Sequence, residues 1–364
     1  MKNLWIWFVI AVIAVGGYIA LSKKPGTTDT ETVKIGAALG LTGDTGEWGA
    51  DELSAITAAV AEHNAKGGKQ IALVVEDTKS TGTGTVNAVM KLVTVDKVDA
   101  IFGPTWGDSF QGGFPIVEKA KIPTVTPSSA LEAVEGKFDY VFSTWWPQPQ
   151  EIATLIAHME QQGYKTVALV RDNDAFNTKF MDLFGAALPK SIRIVDKPSF
   201  PIGTTDFRTT ILKLREEKPD AVMLSIQDTS QIGPFMKQAK ELGLASKIMS
   251  TTSAESPENI KKFPGYFEGL AYSYPDTKND PRLRELQKAS KDNNGPSFVN
   301  AYNAASILIK AIEESEGGDI EAALLRVSAP GIGVKEVSFN EKHQIADAAF
   351  KIKIVKNNSF EDFK

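Results

Sequence analysis

From residue 33 onward the spacing of apolar positions alternates between two periods. Short β-branched runs at 33–38, 71–75, 100–102 and 122–125 read as strands. Between them, residues 51–66 and 85–95 carry apolar side chains at helical spacing, with Leu53, Ile56 and Val60 on one face. After a short apolar run at 140–142 the pattern restarts. Helices are predicted at 150–162, 178–188, 206–217 and 231–242, with strands at 166–170, 192–195, 221–226 and 247–249. Strands that alternate with amphipathic helices predict parallel sheets wrapped by helices, so the fold class is α/β. The tail reads as helices at 281–290, 298–313 and 319–327, then strands at 334–339 and 348–355.

Ahead of this pattern, residues 4–21 form an unbroken run of eighteen apolar, Gly or aromatic residues, preceded by Lys2 and followed by Lys23 and Lys24. As a helix it would span about 27 Å, close to a bilayer's hydrocarbon core. Residues 1–22 are therefore expected to be a membrane anchor. A cleaved signal peptide is the alternative, with Ala20-Leu21-Ser22 as its cleavage site. Residues 23–32, rich in Thr and containing Pro25-Gly26, read as a flexible linker.

Composition narrows the function. With 364 residues, 42% hydrophobic and 23% charged, the chain suits two ordinary domains better than one very large one. A net charge of −5 with no basic stripe argues against nucleic acid. The absence of cysteine removes disulfides, thiolate metal sites and a cysteine nucleophile. His63, His158 and His343 are too scattered for helical metal-ligand spacing. Gly82-Thr83-Gly84 lacks a third glycine, and neither a P-loop nor a Gly-x-Ser-x-Gly elbow occurs. Glu76 and Asp77 are strand neighbours that point to opposite faces, and Asp77 is expected to cap the following turn. Asp206 reads as a helix N-cap. Arg208, Lys213 and Arg215 read as a solvated helix face. No enzyme, cofactor or metal is expected.

A set of motifs then carries a resemblance. Ile35-Gly36 through Leu41-Thr42-Gly43 and then Gly49, His63-Asn64-Ala65-Lys66-Gly67-Gly68, Val75-Glu76-Asp77-Thr78 and Lys97-Val98-Asp99-Ala100-Ile101-Phe102-Gly103-Pro104 follow in order. Ala120-Lys121-Ile122-Pro123, Thr126-Pro127-Ser128-Ser129-Ala130, Thr205-Asp206-Phe207, Pro219-Asp220-Ala221-Val222 and Val337-Ser338-Phe339-Asn340 complete the set. Their order and spacing from about 33 to 355 resemble type I periplasmic binding proteins of the branched-chain amino acid-binding family. The resemblance implies two doubly wound α/β lobes joined by a three-crossover hinge. Lobe one would comprise 33–143 plus 272–333 and lobe two 144–271 plus 334–364. The crossovers are expected near 142–145, 270–272 and 332–335. It also implies an extracytoplasmic, monomeric binding protein whose partners are a small-molecule solute and an ABC permease, held to the membrane by the N-terminal helix. A ligand-sensing module is the alternative, and an α/β enzyme a third reading that no motif supports.

The resemblance locates a site. Trp48 stands where an aromatic usually precedes the first helix, and Phe176 would be the aromatic wall of lobe two. Gly107 takes the place of a carboxylate-binding serine, with Trp106 and Ser109 beside it. Ser128 holds the backbone-carbonyl position, with Ser129 next to it and Ala130 in place of a threonine. The acidic partner of an ammonium falls at Thr252, with Glu255 and Asp228 nearby. These departures point away from a standard α-amino acid held in the usual way, although Ser109, Ser129 and Glu255 could substitute. Trp48 and Trp106 in strand-end loops suit a flat or apolar solute, while Trp145 and Trp146 sit at the first crossover, where hinge packing competes with ligand contact.

Overall fold

The computed structural model describes residues 32–107, 110–128, 137–226, 229–277, 280–289, 295–346 and 348–364. The expected anchor and most of the linker lie outside them. Among the described residues no helix is long and apolar enough to cross a membrane.

The first layer opens with β1 (Val33–Leu39), α1 (Gly46–Lys66), β2 (Ile71–Asp77), α2 (Gly82–Lys91) and β3 (Ala100–Phe102). It continues with α3 (Phe114–Ala120), β4 (Thr124–Thr126) and β5 (Val141–Ser143). These strands form a parallel five-stranded sheet in the order β2-β1-β3-β4-β5. Five consecutive buried residues, 35–39, end β1, as a parallel strand covered on both faces requires.

The second layer holds α4 (Gln148–Gln161), β6 (Thr166–Asp172), α5 (Ala175–Ala187), β7 (Arg193–Asp196), β8 (Ser199–Phe200) and α6 (Arg208–Glu217). There follow β9 (Ala221–Ser225), α7 (Thr229–Glu241), β10 (Lys247–Ser250), α8 (Pro257–Lys262) and β11 (Ala271–Pro275). The chain then runs through α9 (Pro281–Ala289), α10 (Pro296–Glu314), α11 (Ile320–Leu324), β12 (Ala329–Pro330) and β13 (Glu336–Val337). It ends with β14 (Phe350–Lys356) and β15 (Ser359–Asp362). The second sheet runs β15-β14-β11-β10-β9-β6-β7, with β8 beside β6. Its β14 and β15 are antiparallel additions at one edge.

Two expected crossovers move. Residues 270–272 fall at and within β11, which pairs with β10 and β14 in the second sheet, so the chain leaves that layer only after Pro275. All five β11 residues are buried, and that burial keeps the segment in its sheet. Residues 332–335 stay with the first layer: the Asn303 side chain on α10 exchanges two hydrogen bonds with the Ile332 backbone, at 2.8 and 3.1 Å. The return passes the first crossover, where Ser143 N–H donates to His343 O and Ile345 N–H donates to Ser143 O. Only at β14 does the tail enter the second sheet.

Helix α1 buries Gly49, Glu52, Ala55, Ile56, Ala59, Val60 and His63, the three-and-four spacing of one helix face. It packs on α10, which is buried along most of its length. Gly49 lets α1 approach β1: a Cβ there would stand 2.2 Å from the Gly40 carbonyl oxygen. Gly103 is required twice over, by φ +109 and by a Cβ position 2.2 Å from Ala38 O. One apolar cluster extends from the first layer through Trp145, Trp146 and Phe176 into the second. Smaller clusters cover the other face of each sheet.

Candidate functional site

The carboxyl ends of both sheets carry the loops that the sequence singles out. In open α/β sheets this edge is where ligands bind. After β2, Asp77 accepts hydrogen bonds from the N–H groups of Leu41, Thr42 and Lys79 and from the Thr42 hydroxyl. It thereby caps its own turn and ties down the β1 loop. Partial burial works against ionisation of Asp77, but the Thr42 hydroxyl and the backbone donors outweigh it and lower its pKa. Asp206, by contrast, lies one residue outside the cap position of α6: it accepts the Arg208 N–H and pairs with the Arg208 guanidinium.

The strand-end loops bring aromatic rings together. Trp48, in the first turn of α1, meets Trp106 edge-on at 6.2 Å and Trp145 at 6.0 Å between ring centroids. Trp106 stacks on Phe110 at 6.4 Å and holds a left-handed backbone, φ +53. Trp145 also meets Trp146 at 5.1 Å and, edge-on, Phe176 at 6.3 Å. Phe176 is placed by Asp174, whose side chain caps α5 by accepting the Phe176 N–H at 2.8 Å. Trp48 and Trp106 come from the first layer and Phe176 from the second. Trp145, on the crossover between them, touches both sides. It therefore joins the rings of the two layers at the crossover.

Other predicted residues separate. Gly107 is buried in the β3 loop. The backbone carbonyl of Ser128 already accepts the hydroxyls of Thr126 and Ser143, at 3.2 and 3.1 Å. Thr252 is buried, and its N–H goes to the Glu151 carboxyl. Glu255 pairs with Lys353 and accepts the Tyr272 hydroxyl at 2.5 Å, so its charge is already matched. A pocket between the layers is lined by Trp48 and Asp51 on one side and by Thr252 and Glu255 on the other, with Ser297 at its edge. Ser109, Ser129 and Asp228 lie outside the described residues.

Sequence reasoning missed two buried acids. Glu52 and Glu151 are both fully buried. Burial pushes Glu52 up to about 8; hydroxyls of Thr105 and Ser128 oppose that rise and neighbouring Asp51 adds to it. Burial raises Glu151 to about 7 against hydrogen bonds from Ser273 and the Thr252 backbone. Asp51 rises to about 7, chiefly by burial, with Ser297 opposing and Glu47 adding. The signal was present: Glu52 and Glu151 each interrupt the apolar face of a predicted helix.

Polar groups without partners also gather at the first crossover. The indole N–H groups of Trp106, Trp145 and Trp146 and both side-chain polar atoms of Gln148 and Asn300 are buried without a hydrogen-bond partner among the described residues. Asn300 adjoins the crossover, because Thr144 Oγ1 donates to its carbonyl at 2.9 Å. Buried unpaired donors of this kind point to a ligand or ordered water. Among the described residues no group of His, Asp and Glu could hold a metal ion.

Residues 32–358 match a family model described as periplasmic binding protein. The leucine-, isoleucine-, valine-, threonine-, and alanine-binding protein of Pseudomonas aeruginosa is 22% identical over 359 residues, covering 94% of each chain. Among solved structures, the branched-chain amino acid transporter substrate binding protein of Streptococcus pneumoniae, in complex with isoleucine, superposes with a TM-score of 0.81. It is 22% identical and covers 92% of this chain and 100% of its own. A solute binding protein of an ABC transporter from R. palustris, in complex with benzoate, gives a TM-score of 0.79 at 16% identity, covering 91% and 95%.

Proposed function

Since the chain belongs to the periplasmic binding protein family, we propose that it is the extracytoplasmic solute-binding protein of an ABC importer. It takes a small amino-acid-like, amide or aromatic solute between its two layers and closes about the crossovers. The closed form is what a membrane permease reads, and no chemistry is performed on the solute. Residues 1–22 would tether it to the membrane or, cleaved as a signal peptide, let it be secreted.

The observation that carries this reading is the aromatic wall: Trp48 and Trp106 from one layer and Phe176 from the other, joined by Trp145 on the crossover. A solute seated on those rings touches both layers at once, so its binding energy favours the closed form. Apolar, aromatic walls with a few placed polar groups are the usual make-up of small-molecule sites. Neutral donors dominate around the first crossover, where the unpaired indole and amide groups lie. The pocket acid Glu255 is already paired with Lys353. That balance favours a flat or apolar solute whose polar end is met by neutral hydrogen-bonding groups. The named relatives, which bind aliphatic amino acids or benzoate, bracket this range.

Thermal unfolding against a panel of leucine, isoleucine, phenylalanine, benzoate, benzamide and short aliphatic amides tests it. A solute at 100 times its Kd adds about 2.7 kcal/mol to the folded state, a shift of several degrees. Shifts by at least one member support the reading. No shift by any, together with a permease-independent activity, would refute it.

A further inference from the structure

We propose that Glu52 is a positioning residue for the solute-facing loops of the first layer, acting through Thr105 and Ser128. This rests on the cleft reading above.

Glu52 projects from the buried face of α1 and has no exposed surface. One carboxyl oxygen accepts the Thr105 hydroxyl at 2.5 Å and the other accepts the Ser128 hydroxyl at 2.9 Å. Both contacts continue outward. Thr105 Oγ1 accepts the Gly40 N–H at 3.1 Å, which brings in the β1 loop. The Ser128 carbonyl accepts the Ser143 hydroxyl, and Ser143 Oγ accepts the Trp145 N–H at 3.2 Å. A single path therefore runs Gly40–Thr105–Glu52–Ser128–Ser143–Trp145. It ties three strand ends to the crossover that bears the central ring of the wall.

Thr105 also precedes Trp106, whose left-handed backbone persists only where its surroundings fix it. A loop anchored one residue earlier keeps that ring against Trp48. An apolar side chain at 52 could fill the space on α1 but could not join the loops. A carboxyl met only by hydroxyls is costly to bury charged, so the acid acts in its neutral form. One oxygen then accepts from Thr105, and the other stays within hydrogen-bond distance of the Ser128 hydroxyl. The charged or titratable neighbour that bears on it is Asp51, which adds to the rise and itself receives the Ser297 hydroxyl from α10. The loops and β1 bring Thr105, Ser128 and Gly40, none of them charged.

Amide hydrogen exchange of the full chain tests this with Glu52→Gln and Glu52→Ala. Glutamine is uncharged like the neutral acid: its oxygen can accept from Thr105 and its NH2 group faces the Ser128 oxygen. At pH 7, Glu52→Ala should lower protection at least tenfold across 40–45, 103–107, 126–128 and 143–146, with β6 and β9 within twofold of wild type. Glu52→Gln should match wild type at pH 7. At pH 9 the wild type should lose loop protection and Glu52→Gln should keep it.

The proposal is overturned if Glu52→Ala leaves the loops protected, if protection falls equally in the second layer, or if Glu52→Gln fails like alanine at pH 7. Should Glu52→Ala not fold, the pH profile of Glu52→Gln against wild type decides alone. Melting shifts with isoleucine and benzoate are read separately: their absence in the wild type counts against the solute-binding role and leaves the loop result standing.

Discussion

Replacing Glu151 by glutamine should make the protein less sensitive to rising pH. Glu151 is fully buried, accepts the Ser273 hydroxyl and the Thr252 N–H, and has its carboxyl raised from 4.5 to about 7. Unfolding returns that group to water and to the ordinary carboxylate range. Between about pH 4.5 and 7 the folded state therefore holds a proton that the unfolded chain has released, and stability falls as pH rises. The contribution is fully present below the unfolded value and lost once pH passes the folded one. A rise of that size corresponds to about 3 kcal/mol. Glutamine keeps an acceptor for the Thr252 N–H, sets its NH2 group against the Ser273 oxygen, and has no proton to release. Urea unfolding of wild type and Glu151→Gln at pH 4, 5, 6, 7 and 8 gives the difference in stability at each pH. Because Asp51 and Glu52 titrate in both proteins, their effect cancels. The difference should grow in favour of the variant by about 3 kcal/mol from pH 4 to 8, most of it between 5 and 7. A constant difference, or one growing the other way, would mean that Glu151 is held as a carboxylate.

The remaining expectations concern the wall and its supports. Trp48→Ala and Trp106→Ala should each weaken solute binding more than tenfold by calorimetry, with melting temperature little altered; unchanged affinity in both would put the rings outside the site. Trp145→Ala should cost about 3–5 kcal/mol in urea unfolding, because the ring is 8% exposed and packs on Trp48, Trp146 and Phe176. Loss of solute response in excess of that instability would confirm its double role. Gly103→Ala should destabilise by about 3 kcal/mol or more, since the new methyl would stand 2.2 Å from Ala38 O on a backbone at φ +109; a loss under 1 kcal/mol in the same assay would argue that the loop relaxes freely. Lys353→Met should leave Glu255 without its cation and cost about 3 kcal/mol in urea unfolding at pH 7; a loss under about 0.5 kcal/mol would mean that the pair adds little.

Much of the chain was legible as sequence because its signals are local. The alternation of strand and helix periods, the Gly-Gly turn at 67–68 and the acidic end of β2 each express backbone preferences within a few residues, and they determined the α/β class and the family. The strand-end position of Trp106 was equally readable, because a loop tryptophan needs something to cover it, whereas Trp48, expected in such a loop, falls in the first turn of α1. Other features depended on what lies across space. Residues 270–275 and 332–337 carry no local mark of the layer they join; sheet pairing and the Asn303–Ile332 exchange decided that. Glu255 read as an available acid because its partner Lys353 is 98 residues away. Glu52 and Glu151 stood visibly out of place on apolar helix faces, yet their raised pKa values come from burial, and the groups they meet, Thr105, Ser128, Ser273 and Thr252, lie far off in the chain. Period and turn chemistry are properties of a segment. Charge state, layer and site membership are set by the neighbours that folding supplies, so only the tertiary structure could decide them.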